Sequence, residues 1–215
     1  MKKAIKWLAK NGLSLAFFAL FAAALVGQTF TGWFAYDDQL AAHGLPAVRY
    51  SAYLKTGDFL EGIFCNWQAA ILQLACLIFF AAFLRQKGAS HSRKTTGSAR
   101  KKKRHPRAFE KPSSWLYRNS LLLAFLVLFA FSFLAHLICG SWLYNETQKW
   151  SGHPPVSVVS YFCTADFWFR TVQTWQAEFV IIGVFLVLSV FLRQENSAES
   201  KPVGSADNET GATNE

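Results

Sequence analysis

The stretch Leu13–Phe34 reads LSLAFFALFAAALVGQTFTGWF and carries no charged side chain over its 22 residues. A helix rises about 1.5 Å per residue, so this length reaches roughly 33 Å and crosses a hydrocarbon core of about 30 Å. Three further apolar stretches follow, at about 67–84, 121–143 and 175–192. Lipid offers the backbone no hydrogen-bond partners, so each stretch is expected to be helical. The chain is therefore predicted to be a membrane protein with four spans.

The lysines before the first span could suggest a cleavable signal peptide. Its apolar core, however, is longer than the 7–15 residues typical of such peptides. A counterpart of this core also lies in mid-chain at 121–143. We therefore expect a retained span.

The second half of the chain repeats the first at an offset of 108 residues, without a gap. Matched pairs include Gly32 and Gly140, Tyr53 and Tyr161, Asp58 and Asp166, Trp67 and Trp175, and the runs Phe83–Gln86 and Phe191–Gln194. Each copy has two spans, so both copies enter the membrane in the same sense. The sequence predicts an all-α protein of two parallel two-span repeats. Repeat 1 is assigned to residues 1–92, a basic linker to 93–114, repeat 2 to 115–202 and a disordered acidic tail to 203–215.

Basic residues are distributed unevenly, and this predicts the topology. The two termini and the central linker hold 18 of the 22 lysines and arginines, while the other two loops hold four. The positive-inside rule then places both termini and the linker in the cytoplasm. The cluster Arg100–Arg104 resembles a nucleic-acid patch in isolation, but between two spans it is expected to contact anionic lipid headgroups. No nucleic-acid partner is predicted.

The two outer loops are aromatic and repeat-matched. Each turns at a Gly-x-Pro sequence, beginning at Gly44 or Gly152, and continues into an aromatic stretch. This pattern predicts a short helix in the outer interface, capped by Asp58 or Asp166. Tryptophans are expected to mark the headgroup level at Trp33, Trp67, Trp142 and Trp175.

Polar side chains inside the spans are the only functional candidates. Burying them in hydrocarbon is costly unless they face a partner or a cavity. Four such residues are candidates for one polar pocket near the outer leaflet, with the second slightly deeper than the others: Gln28, Gln73, His136 and Glu178. The alternative is that Gln28 and His136 only join helices by hydrogen bonds, while Glu178 extends to the interface.

No catalytic, cofactor-binding or metal-binding motif is present in the sequence, so no enzyme activity and no cofactor are predicted. The histidines His43 and His153 flank the two turns at different repeat offsets, which favours solvated turn residues over metal ligands. Cys65 and Cys163 could pair in an oxidising compartment, but no ligand or redox spacing links them. The sequence does not decide whether Cys65 and Cys163 form a disulfide.

Small residues form a stripe along the first span at Ala19, Ala23, Gly27 and Thr31. Such stripes allow helix backbones to approach closely. The first span is therefore expected at the tightest helix contact, either with the third span or with another chain.

Several motifs resemble a known family. In the first half they are Val26–Trp33, Asn66-Trp67-Gln68 and Phe83–Gly88; in the second half they are Tyr144-Asn145-Glu146, Gly152–Ser157, Trp175–Phe179 and Phe191–Gln194. This pattern is similar to a bacterial family of integral membrane proteins known only as a domain of unknown function. The resemblance implies a bacterial cytoplasmic membrane and four spans, and it implies no activity.

The sequence thus favours a membrane protein of structural or accessory type. It would act through helix packing and its outer loops, possible partners being a second copy of the chain or another membrane protein. The alternative is a small-solute or ion transporter that uses the polar pocket.

Overall fold

The computed structural model describes residues 2–92 and 114–211. Within these ranges the chain forms helices and no strand. The helices are α1 (Lys2–Ala42), α2 (Tyr50–Tyr53), α3 (Gly57–Phe83), α4 (Trp115–Arg118), α5 (Ser120–Trp150), α6 (Val158–Phe162) and α7 (Ala165–Phe191). The predicted linker, apart from Ser114, and the last four residues of the predicted tail lie outside the described residues.

Four helices are long and apolar enough to cross a membrane: α3, α5, α7 and the part of α1 from Gly12 onward. This confirms the predicted all-α membrane protein with four spans. The parallel arrangement of the two repeats stays a prediction.

Helices α3 and α7 begin ten residues before Trp67 and Trp175, where the second and fourth spans were expected to start. Each is capped by a threonine: Thr56 Oγ1 accepts from the Phe59 amide and Thr164 Oγ1 from the Phe167 amide, both at 3.3 Å. The prediction that Asp58 and Asp166 are the caps was therefore wrong. Both aspartates lie in the first turn, where a carboxylate faces the positive end of the helix dipole.

Single-turn helices follow the two Gly-x-Pro turns, as the loop pattern predicted. They are α2, with four residues, and α6, with five. The aromatic residues after them belong to α3 and α7, so the loops are shorter than the sequence suggested. The glycines at the turns, Gly44 and Gly152, have φ of 69° and 76°, which is the left-handed region that glycine adopts without strain.

The chain divides into two compact units. The described residues within Met1–Ile63 and His136–Cys163 form the first unit, and those within Phe64–Ala135 and Thr164–Glu215 form the second. Residues 33–63 and 140–163 belong to the first unit, and we call them the cap.

Aromatic side chains form the core of the cap. Tyr36, Leu40, Tyr53 and Phe59 are buried and cluster together, with ring centroids 5.6 Å apart for Tyr36 and Tyr53 and 5.4 Å apart for Tyr53 and Phe59. The core therefore joins the end of α1 to α2 and the first turn of α3. Burial of large aromatic rings contributes much of the stability of such a core.

Repeat-matched residues make the same contacts in the cap. The Asp37 side chain accepts from the Val48 amide at 2.9 Å, and the Asn145 side chain accepts from the Val156 amide at 2.7 Å. A Cβ on Gly32 would overlap the Tyr53 hydroxyl, and one on Gly140 would stand 3.0 Å from the Tyr161 hydroxyl. Glycine at these two positions lets a tyrosine pack against the helix backbone.

Matched contacts also recur in the second unit, after α3 and α7. The Gln86 amide donates to Ser92 Oγ and the Gln194 amide to Ser200 Oγ, each at 2.8 Å. The run Phe-Leu-Arg-Gln and the serine six residues after its glutamine thus build the same turn twice.

The start of the C-terminal tail folds back onto this unit. The Lys201 ammonium is buried and donates to the carbonyl oxygens of Ala206, Asp207 and Glu209 at 3.0 to 3.3 Å. Burial, and then the charge of Arg193, lowers the pKa of Lys201. Within 203–211, the structure has turns at 203–204 and 207–208, and the disorder expected for the tail stays a prediction. Carbonyl oxygens of this segment accept from the Lys201 ammonium, and the amino-acid composition gives no sign of these contacts.

The small-residue stripe of α1 packs against no other helix at its glycine. A Cβ on Gly27 would have no neighbour within 4 Å among the described residues. The apolar window of this span contains no buried residue. The expected tight contact within the chain is therefore wrong at Gly27, while a contact with another chain stays a prediction.

Candidate functional site

A carboxylate and an imidazole meet inside the first unit. Glu61 lies one turn into α3 and His136 lies in the middle of α5. Glu61 is 6% exposed and His136 is 0% exposed. The distance from Glu61 Oε1 to His136 Nδ1 is 3.6 Å. Ionisable groups this close, on helices able to span a membrane, influence each other's protonation, so the pair is a candidate proton-binding site.

Gln28, the repeat counterpart of His136, reaches the same part of α3. Its amide nitrogen lies 3.6 Å from the point where a Cβ on Gly62 would stand. The side chain stays exposed in the isolated chain. The structure thus brings two of the four predicted pocket residues to the neighbouring positions Glu61 and Gly62.

A phenol completes the cluster. The Tyr161 hydroxyl and Glu61 Cγ lie 3.0 Å and 3.4 Å from the point where a Cβ on Gly140 would stand. Tyr161 is buried. Any side chain at position 140 would therefore fill the space that the phenol and the acid share.

The Glu61 and His136 pair can hold or exchange a proton. With the imidazole charged, the two side chains form an ion pair, and with one of them neutral they can interact as donor and acceptor. Carboxylate and imidazole are also common ligands of divalent transition metals, so Glu61 and His136 could supply two ligands of such an ion. Removing either partner of a buried pair leaves the other uncompensated.

The other two predicted pocket residues, Gln73 and Glu178, lie in the second unit. The Gln73 amide donates to the backbone carbonyl oxygen of Glu178 at 2.8 Å. This bond joins α3 to α7 and leaves the Glu178 carboxylate out of the contact. The glutamine therefore acts here as a link between helices, and the four-residue pocket stays a prediction.

The four predicted interface tryptophans differ in their surroundings. In the first unit, the Trp33 indole donates to the Val48 carbonyl oxygen at 2.8 Å, while Trp142 is 51% exposed. In the second unit, the Trp175 indole donates to Gln68 Oε1 at 2.8 Å, and Trp67 packs edge-to-face on Phe64. Trp33 and Trp175 thus have structural hydrogen bonds besides any role at a membrane interface.

The cysteines form no disulfide in the structure, and all four lie within its described residues. Cys65 is buried, with its thiol 3.8 Å from the Arg170 carbonyl oxygen. Cys163 is exposed.

Two tyrosines of the cap have polar contacts with acidic side chains. The Tyr36 hydroxyl donates to Glu146 Oε1 at 2.5 Å, which connects α1 to α5. Burial, followed by the charge of Asp58 and a hydrogen bond to it, raises the pKa of Tyr53 to about 12. The Tyr53 phenol therefore stays protonated at neutral pH and acts as a donor.

Sequence reasoning missed Glu61 because it assigned this residue to a loop. With α3 beginning at Gly57, Glu61 lies inside a span and becomes a default functional candidate. The threonine at Thr56, three residues before the Phe59 amide that it caps, was the available signal for the earlier start. No spacing in the sequence connects Glu61 to His136.

The chain matches the domain of unknown function DUF6766 over residues 4–212. In the same comparisons, no curated protein and no solved structure matches it. The family match covers all four spans, the cap, and both residues of the acid and imidazole pair. The chain therefore belongs to the family defined by the domain of unknown function DUF6766.

Proposed function

We propose that this protein is a membrane protein of structural or accessory type, and that its cap contacts a partner protein. The observation that carries the proposal is the ordered cap, in which the ends of α1 and α5 and the start of α3 are joined through Tyr36, Glu146, Tyr53 and Phe59. A rigid surface held by such contacts is suited to recognition, because little conformational freedom is lost on binding.

The exposed apolar side chains of the four spans support the same proposal. Large apolar side chains face outward along all four, including Phe17, Val127 and Ile181. In a bilayer these faces contact lipid or the helices of a partner. A second copy of this chain and a different membrane protein are both compatible with these faces.

Site-specific photo-crosslinking in intact membranes tests this proposal. A photoreactive side chain at Val159, which is 75% exposed in the cap, should capture a defined protein partner. The matched control is the same group at Phe17, which is 66% exposed in the α1 span, where lipid is expected. A cap position that captures no protein, in cells where the protein is expressed at its natural level, would contradict the accessory role.

The second candidate is a small-solute or ion transporter, and the buried Glu61 and His136 pair favours it. Intramembrane acids and histidines commonly form proton relays. Gln28 adds a polar side chain beside the same turn of α3. In this reading, protonation of the pair would be coupled to movement of the solute.

Reconstitution into vesicles with a pH gradient tests this alternative. If the protein transports, Glu61→Gln and His136→Gln should each reduce proton-coupled flux at least about tenfold, because each removes one half of the pair. Asp38→Asn is the matched control, since it neutralises an exposed carboxylate outside both the pair and the predicted pocket. Equal flux in the wild-type protein and in both pair variants would exclude this site as the pathway.

We also propose that the protein resides in a bacterial cytoplasmic membrane with both termini in the cytoplasm. The asymmetry of basic residues supports this orientation. The basic linker would then contact anionic headgroups on the cytoplasmic side.

A further inference from the structure

A cleft of about 480 Å³ opens in the cap, beside the start of α3 and the end of α5. Its lining is Lys55, Thr56, Gly57, Trp142, Asn145, Glu146, Lys149 and Pro155. All of these residues belong to the first unit. The cleft is separate from the buried pair of Glu61 and His136, neither of which lines it.

Hydrogen-bond donors dominate the lining. Within the described residues, the Lys55 and Lys149 ammoniums have no carboxylate within 4 Å and no hydrogen-bond acceptor, and the Trp142 indole has none either. The two lysines are exposed. Three donor groups thus line a single opening: Lys55 from the turn before α3, and Trp142 and Lys149 from α5.

The acceptors of the cleft are already engaged. Glu146 accepts from the Tyr36 hydroxyl at 2.5 Å. The Asn145 side chain accepts from the Val156 amide and donates to the Val156 carbonyl oxygen. Glu146 still carries a negative charge, but two ammoniums outnumber it. The lining therefore favours an anion with several acceptor oxygens.

The start of α3 adds to this preference. Gly57 is the first residue of a 27-residue helix, and the N-terminal end of a helix carries partial positive charge.

The two lysines of the cleft have no lysine at the matched positions of the other half. At the matched positions the other copy has Cys163 in place of Lys55, and Ala41 in place of Lys149. They are also two of only four basic residues in the two loops between paired spans. The two positive charges thus distinguish this cleft from the matched positions of the other half.

From these observations we infer that the cleft binds a phosphate group, held by Lys55, Lys149 and the Trp142 indole. The source is either the headgroup of an anionic phospholipid or a free phosphate. Trp142 lies at the end of an apolar span, next to the lysines, which is the level where headgroups stand if the helices cross a bilayer.

Native mass spectrometry of the purified protein in neutral detergent tests the inference, with phosphatidylglycerol, phosphatidylcholine and inorganic phosphate as probes. The wild-type protein should retain phosphatidylglycerol in preference to phosphatidylcholine. Lys55→Gln and Lys149→Gln should each weaken retention about fivefold, and the double variant about thirtyfold. The conservative double variant, Lys55→Arg with Lys149→Arg, should retain it.

Two comparisons make the result specific. Arg49→Gln removes an exposed positive charge from the cap outside the cleft, so it should bind as the wild type does. Displacement of phosphatidylglycerol by millimolar inorganic phosphate identifies a free phosphate as the ligand, and resistance to it identifies the headgroup. The inference would be overturned if the double glutamine variant retained phosphatidylglycerol and inorganic phosphate as well as the wild type does. Unchanged thermal unfolding of that variant confirms that it is folded.

Discussion

The Tyr36 hydroxyl donates a 2.5 Å hydrogen bond to the Glu146 carboxylate, and so ties the end of α1 to the end of α5. These residues are 110 positions apart. The bond lies at the edge of the aromatic core of the cap and also holds the one acid that lines the cleft. It therefore links the stability of the cap to the charge of its candidate binding site.

Tyr36→Phe should lower the free energy of unfolding by about 1.5–3 kcal/mol, because it removes a hydrogen bond to a charged group. Thermal unfolding in detergent measures the change. Tyr144→Phe is the matched control: Tyr144 is the repeat counterpart, and its hydroxyl has no hydrogen-bond partner within the described residues. A loss of equal size in both variants would show that the bond to Glu146 is not responsible.

Gly57→Ala should destabilise the protein by about 1–3 kcal/mol, because the added methyl group overpacks the contact between α3 and α5. A Cβ there would overlap the Leu143 amide and lie 2.8 Å from Leu143 Cα. Gly183→Ala, where a Cβ meets nothing within 4 Å, should instead be neutral or stabilising by up to about 1 kcal/mol. Melting temperatures in the same detergent decide between these outcomes, and a Gly57→Ala protein as stable as the wild type would refute the close approach.

Alkaline pH should destabilise the cap through Tyr53. Its pKa is about 12 in the folded protein against 10.0 as the reference value. The folded state therefore binds this proton more tightly, and its contribution to stability is fully present below pH 10 and lost as pH rises toward 12. Its size is on the order of 3 kcal/mol, at about 1.4 kcal/mol for each of the two pKa units.

The absorbance of tyrosinate and the melting temperature, both followed between pH 9 and pH 12, measure this effect. Tyr53→Phe should flatten the loss of stability in that window. If the wild type and the variant lose stability in parallel, Tyr53 is not the group that titrates.

Reporter fusions should reveal the orientation of the chain. Fusions at Gly97 and at the C-terminus are expected to report the cytoplasm, and fusions near Gly44 and Gly152 the opposite side. Both turns are exposed, so a reporter inserted beside either glycine, which itself is kept, has room. A Gly97 fusion that reports the outer side would reverse the proposed topology.

The architecture could be predicted from sequence because it depends on apolar segment length, which is a local property. Helix starts were harder. The first two turns of α3 and α7 carry Asp58, Glu61, Asp166 and Arg170. These polar residues resemble a loop in the sequence, although each helix continues into an apolar segment. The contact between Glu61 and His136 depends on how α3 and α5 meet, and neither periodicity nor repeat spacing encodes it. The same holds for Lys201, whose partners are backbone carbonyls and leave no mark in composition.

The pair of Glu61 and His136 takes one residue from each half of the chain, and neither residue is repeated in the other half. The counterpart of His136 is Gln28, and the counterpart of Glu61 is Phe169. An assembly of two first halves would set Glu61 against an amide, and one of two second halves would set His136 against a phenyl ring. Neither homodimer could unite a titratable acid with a titratable base. The first half of the polypeptide thus supplies the carboxylate and the second half supplies the imidazole, so the pair requires both halves.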